Sequence, residues 1–197
     1  MNSKIAFTVA FFLCLNVSIA QEGIVIRQYL DKIPVEVFDK TQEGITQKEL
    51  NKLKNQKASK NWGIDEITSN SLRFVSKSLN TIVELLLLER ENQEPILLSY
   101  VEEDEMLMIE TWDLNKSPIE KVNTLPKLTV NDFFDLENQF SEPEQYQKDV
   151  FYHLEQDHVM VGLHTNMQPK YYNKNIDYMV KLDWNGEEFL VQKIKID

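Results

Sequence analysis

From Ser71 onward apolar residues recur at every second position, and no other feature constrains the fold of this chain as strongly. The runs "SLRFVSK", "TIVELLLLER", "PILLSYVEE" and "MLMIETWDL" have strand length and are separated by short polar connections. Successive side chains of a strand point to opposite faces, so this spacing predicts an antiparallel meander. Within "TIVELLLLER", Leu85 and Leu87 fall on one face, and Ile82, Leu86 and Leu88 on the other. A strand that is apolar on both faces is central, with helix or a second sheet above and below it. A helix over 79–90 is the alternative for so short a run; Ile82 and Val83 at its start and the neighbouring strands favour β.

Upstream, "IPVEVFDKTQEGITQKELNKLKNQK" contains a helix start. Thr46 is placed to cap the free amides and Glu49, three residues on, to return a bond to the Thr46 amide, a capping box. Ile45, Leu50 and Leu53 supply the apolar stripe, so a helix is expected from Gln47 to about Lys57. Downstream, prolines 118, 126 and 143 break sheet pairing, and Thr129 is a cap for a short helix carrying Phe133 and Phe134. Two hairpins follow. In "YMVKLDWNGEEFLV", Asn185-Gly186 suits a two-residue turn with positive φ, pairing Trp184 with Glu187, Leu182 with Phe189, and Val180 with Val191. The expected architecture is α+β and mainly antiparallel β: an N-terminal helix packed on a β-meander, then two β-hairpins.

The opening "MNSKIAFTVAFFLCLNVSIAQEG" has a basic n-region at Lys4, an apolar stretch and a small-x-small ending at Ala20. That is the pattern of a secretory signal peptide, residues 1–20, leaving residues 21–197 as one exported β-rich domain. The apolar stretch is shorter than the roughly 20 residues a spanning helix needs, so no transmembrane segment is expected after cleavage. Cys14, the only cysteine, lies in this segment, so the mature chain offers neither disulfides nor thiolate ligands. The chain carries 21 basic and 32 acidic residues, a net charge of −11. Such a surface repels nucleic acid and anionic membranes.

All three histidines lie in "VFYHLEQDHVMVGLH". A hairpin pairing Leu154 with Val159, Tyr152 with Val161 and Val150 with Leu163 gives one apolar face, and a one-residue slip would put all six in water. This register sets His153 on the opposite face across from Met160, with Glu155 and His158 at the turn on that side. His153, Glu155 and His158 form a candidate metal-ligand set of two imidazoles and a carboxylate. His164, near 20 Å from His158 along a strand, cannot join them. The face is the solvent side of the hairpin, however, and ligation needs a partly desolvated, braced site. Surface imidazoles are the expectation, and no cofactor is implied.

Exposed aromatics on a β scaffold can stack on sugars, and Trp62, Tyr171 and Tyr172 are the candidate ligand-binding residues. Trp112 and Trp184 alternate onto core faces. "LDWNGEEF" has Lys181 and Gln192 where a calcium loop needs carboxylates. "VEEDEM" reads as a solvated hairpin tip. The sequence contains no G-x-S-x-G elbow, no H-E-x-x-H and no Gly-rich phosphate loop.

The order of "IPVEVFDKTQEGITQKELNKL", the meander and "TLPKLTVNDFF" resembles small exported proteins of uncharacterised function from Bacteroidota. The resemblance implies an exported, bacterial, single-domain protein and brings no catalytic residues with it. The expected function is non-catalytic: a binding or accessory protein of the periplasm or cell surface, with a protein or glycan partner. The alternative is a secreted hydrolase acting on glycans or peptides through carboxylates or the His153/Glu155/His158 face.

Overall fold

The computed structural model describes residues 25–104, 106–143, 148–155, 158–164 and 176–196. The expected signal peptide and the candidates Tyr171 and Tyr172 lie outside the described residues. The fold is α+β and mainly antiparallel. A six-stranded meander runs in chain order: β1 (Trp62–Ile67), β2 (Ser71–Ser76), β3 (Thr81–Arg90), β4 (Gln93–Glu103), β5 (Met106–Asp113) and β6 (Glu120–Val122). A second sheet has the order β10-β9-β8-β7, from β7 (Val150–Glu155), β8 (His158–Leu163), β9 (Tyr178–Trp184) and β10 (Phe189–Lys195). Two helices, α1 (Val25–Gln28) and α2 (Gln47–Lys54), precede the meander.

The double-sided apolar pattern of β3 is used as expected. Leu86 and Leu88 join Leu98 and Tyr100 in a core shared with Val159, Val161, Val180 and Leu182 of the second sheet. Leu85 and Leu87 face the other way, into a core with Trp62, Phe74 and Trp112 that is covered by Phe38, Leu50 and Leu53. The six-stranded sheet is therefore the middle layer, between the N-terminal segment and the second sheet.

Helix α2 starts on the expected capping box: the Glu49 amide donates to Thr46 Oγ1 at 3.2 Å, and the Thr46 amide donates to Glu49 Oε2 at 3.5 Å. It ends at Lys54, three residues early, because Gln56 turns to φ 56° and its amide donates to the Leu53 carbonyl at 2.9 Å. At Thr129 the cap leads into a single 3₁₀ turn, Val130–Phe133, with the Asp132 carboxylate accepting from the Thr129 amide at 2.8 Å. Strands β1 and β6 lie at the two edges of the meander and carry no alternating apolar signal.

The β7–β8 hairpin has the expected register, Leu154 with Val159, Tyr152 with Val161, Val150 with Leu163, and His153 opposite Met160. The last hairpin departs from it. Phe189 pairs with Trp184 and Val191 with Leu182, so the loop is four residues, Asn185 to Glu188, and the register is displaced by two. Asn185 causes this: its Oδ1 accepts the Glu187 and Glu188 amides, both at 2.9 Å, which holds the two glutamates in the loop. Gly186 takes φ 103° within it. Phe189 then meets Trp184 at a ring separation of 5.2 Å. Because side chains alternate with period two, a displacement by two keeps Val180, Leu182, Trp184, Phe189 and Val191 on one face, the one expected to be core, although Val191 is 41 % exposed there.

The "VEEDEM" tip also differs from expectation. Glu103 is 5 % exposed, and its carboxylate accepts the Gln42 amide at 3.1 Å and the Thr81 hydroxyl at 2.9 Å. A carboxylate placed under the N-terminal segment fastens Gln42 to the meander. Replacing it strands two donors, so Glu103→Ala is expected to lower the unfolding free energy by about 2–3 kcal/mol. Urea denaturation checks this, and a loss under about 0.5 kcal/mol would mean that the carboxylate fastens nothing.

Candidate functional site

The face of the middle sheet that meets the second sheet is not apolar throughout. Glu66 of β1 pairs with Arg73 of β2, Arg73 with Glu84 of β3, and Glu84 with Tyr100 of β4. These four side chains form one row across four strands, with neighbouring Cβ atoms about 5 Å apart. The next row along holds Ile82 opposite Glu102. The second sheet buries Tyr100 but leaves Glu66 exposed and Arg73, Ile82, Glu84 and Glu102 only half-buried. Its β7–β8 end brings His153, Leu154 and Glu155 alongside them, and the result is a groove of about 580 Å³.

A three-member link closes one side of the groove. Tyr100 is nearly buried, and its hydroxyl lies 3.0 Å from His153 Nδ1 and 3.3 Å from Glu102 Oε2. A phenol has one proton to donate. When Tyr100 donates to Glu102, the His153 Nδ1–H donates to the phenol oxygen, leaving Nε2 as an acceptor. Burial, and then the Glu102 charge, pushes the Tyr100 phenol well above its ordinary range, so it serves as a fixed hydrogen-bonding group.

Arg73 is the cationic member of the row. Its Nε is buried and has no hydrogen-bond partner among the described residues, and its ion pair with Asp65 Oδ2 is long, at 4.0 Å. Arg90 behaves differently: its Nη2 contacts Asp113 Oδ1 at 2.8 Å and its Nε donates to the Glu94 carbonyl at 2.7 Å. One arginine is committed to the fold, and the other keeps donors unspent at the groove. Burial raises the Glu84 carboxyl above the ordinary carboxylate range; the Arg73 charge opposes this and the Glu66 charge adds to it.

The residues singled out from sequence are distributed as follows. Trp62, expected to face a ligand, is fully buried against Phe38 at 5.0 Å, and its indole N–H donates to the Gly44 carbonyl at 2.8 Å. It lies beneath a second hollow of about 500 Å³, between Arg27, Lys57 and Lys77, and offers no exposed face to it. Its burial follows from the α2 stripe of Leu50 and Leu53 closing over β1. His153, Glu155 and His158 do not converge: His158 Nε2 lies 3.9 Å from Glu155 Oε2, while His153 turns to Tyr100. Among the described residues no three His, Asp or Glu side chains are placed to hold a metal ion. His164 stacks on Phe151 at 4.4 Å.

Arg73, Glu84, Tyr100 and Glu102 were not picked out from sequence. The signal was present at Glu84, which has the same parity as Ile82, Leu86 and Leu88 and so interrupts an otherwise apolar face. A polar residue on a burying face is the informative exception.

The chain thus forms a two-sheet α+β structure with a polar groove at the edge of the inter-sheet core. No family model and no curated protein matches it. Among solved structures it is similar to a domain of an uncharacterized protein from Porphyromonas gingivalis W83, with a TM-score of 0.57 and 12 % identity over 85 % of this chain and 97 % of that one. This likeness concerns the fold alone. Among the described residues no helix is long and apolar enough to cross a membrane.

The raised Glu84 carboxyl has a consequence for stability. The native state holds this proton to a higher pH than an unfolded glutamate does (about 4.3), so ionising it at neutral pH weakens the fold. Glu84→Gln is expected to raise the urea midpoint at about pH 7.5 and to lose that advantage as pH falls towards about 4. A glutamine variant equally stable or less stable at both pH values would contradict this account.

Proposed function

We propose that this chain is an exported, non-catalytic binding domain and that the groove beside Tyr100 takes its ligand. One observation carries the reading: the Arg73 side chain, 37 % exposed, opens on a groove of a size that suits a small molecule or the end of a polymer, and among the described residues the carboxylate it approaches, Asp65, stands off at 4.0 Å. Around it, Glu66, Glu84 and the His153–Tyr100–Glu102 link offer hydrogen-bonding groups on strands, where a rigid backbone fixes their positions. The net charge of −11 directs the choice away from polyanions and towards a glycan or peptide partner. Export follows from the N-terminal pattern, and periplasm or cell surface is the matching location.

A hydrolytic reading has one observation in its favour, the Glu84 carboxyl that is raised by burial near the Glu66 carboxylate. Glycoside cleavage needs two carboxyl groups flanking the scissile bond. Binding is preferred because the Tyr100 and His153 groups are already engaged with one another.

Amide NMR titration with chitotriose, cellotriose and alanyl-alanine at millimolar concentration tests the proposal. Shift changes confined to Arg73, Glu84, Tyr100, His153 and their strand neighbours are expected with at least one probe. Unchanged groove resonances throughout the panel would reject it. Turnover of nitrophenyl glycosides that disappears in Glu84→Gln would replace binding with hydrolysis.

A further inference from the structure

We propose that the groove recognises a zwitterion, an amino acid or short peptide whose carboxylate lies on Arg73 and whose ammonium group lies among Glu66, Glu84 and Glu102. The inference rests on the reading of the groove as a ligand site and names the chemistry of its occupant.

The order of charges along the row is the basis. Arg73 is bracketed in register by Glu66 on one side and Glu84 on the other. Its side chain is 37 % exposed, and among the described residues the carboxylate it approaches, Asp65, is too distant at 4.0 Å to take a hydrogen bond. Among the described residues neither Glu66 nor Glu84 accepts a hydrogen bond, and Glu102 accepts one from Tyr100 alone, at 3.3 Å. The groove therefore presents unspent donors and unspent acceptors on adjacent strands, about 5 Å apart.

Each simpler ligand satisfies only half of this. A bare anion could use Arg73, but Glu66, Glu84, Glu102 and Glu155 would repel it. A bare cation would meet the carboxylates but would be repelled by Arg73. A neutral sugar supplies hydroxyls to both but gains nothing from the alternation of charge. A molecule with carboxylate and ammonium a few bonds apart answers both groups, and the guanidinium fork suits a planar carboxylate. The volume of about 580 Å³ suits a ligand of dipeptide size.

The test compares alanyl-alanine with its two singly blocked forms on the wild-type chain, so that it does not depend on any variant folding. Isothermal titration is expected to show alanyl-alanine binding at least about tenfold more tightly than N-acetyl-alanyl-alanine and than alanyl-alanine amide. Free alanine distinguishes an amino-acid site from a peptide site by the same comparison. Arg73→Gln should erase the preference over the amide, Glu84→Gln should reduce the preference over the acetylated form, and Arg73→Lys should retain part of the affinity. Equal binding of all three dipeptides, or binding of the amide alone, overturns the zwitterion. Binding of chitotriose at the groove without any dipeptide also overturns it and leaves the binding-domain reading intact. If no probe perturbs the groove residues, both fall together.

Discussion

Burying both faces of a six-stranded sheet requires two covering layers, and among the described residues the second layer is narrower than the sheet it covers. The N-terminal segment, with Phe38, Leu50 and Leu53, closes one side over Trp62, Phe74 and Trp112. On the other side four strands cover six. The apolar residues of β3 and β4 are claimed by Val159, Val161, Val180 and Leu182, and what the shorter sheet cannot reach stays open. There the sequence of the same strands turns polar, at Ser71, Arg73, Glu84 and Glu102. The groove is a consequence of unequal layers, and its chemistry comes from residues that would be costly to bury under a full second sheet.

Much of the fold was legible because its strands report their burial directly. Leu85 and Leu87 against Leu86 and Leu88 reveal a central strand with two partners. The alternation from Val150 to Leu163 specifies a hairpin down to its register, because any odd slip would invert it. The edge strands were illegible for the opposite reason. Strand β1 contains Gly63, Asp65 and Glu66, and β6 is three residues long; neither alternates, since an edge is held by its neighbour and not by its own apolar pattern. The final turn differs from its sequence expectation because Asn185 supplies more than backbone freedom: its side chain accepts two amides.

The site was less legible than the fold. A groove is built by juxtaposition of distant segments, and His153 meets Tyr100 across 53 residues. Single-residue cues misled in both directions. Trp62 looked like a ligand platform and is core, while Glu103 looked like a solvated tip residue and is a buried anchor for Gln42. His153 and Glu155 stand out in the sequence as neighbouring ligand types, and Glu84 is marked by its place as a carboxylate among leucines. Arg73 needed its environment to be informative, since "SLRFV" reads equally well as an edge with a snorkelling side chain.

The displaced register of the last hairpin has a meaning beyond that turn. A pleated ribbon senses parity and ignores length, so lengthening or shortening a tip by pairs of residues leaves inside and outside as they were. Lineages carrying this architecture can therefore remodel the Asn185–Glu188 end, and its counterparts on the other hairpins, in steps of two while the packed layers remain undisturbed. Such freedom at the ribbon ends, coupled to strictness between them, is how two chains can share an outline while hardly sharing residues.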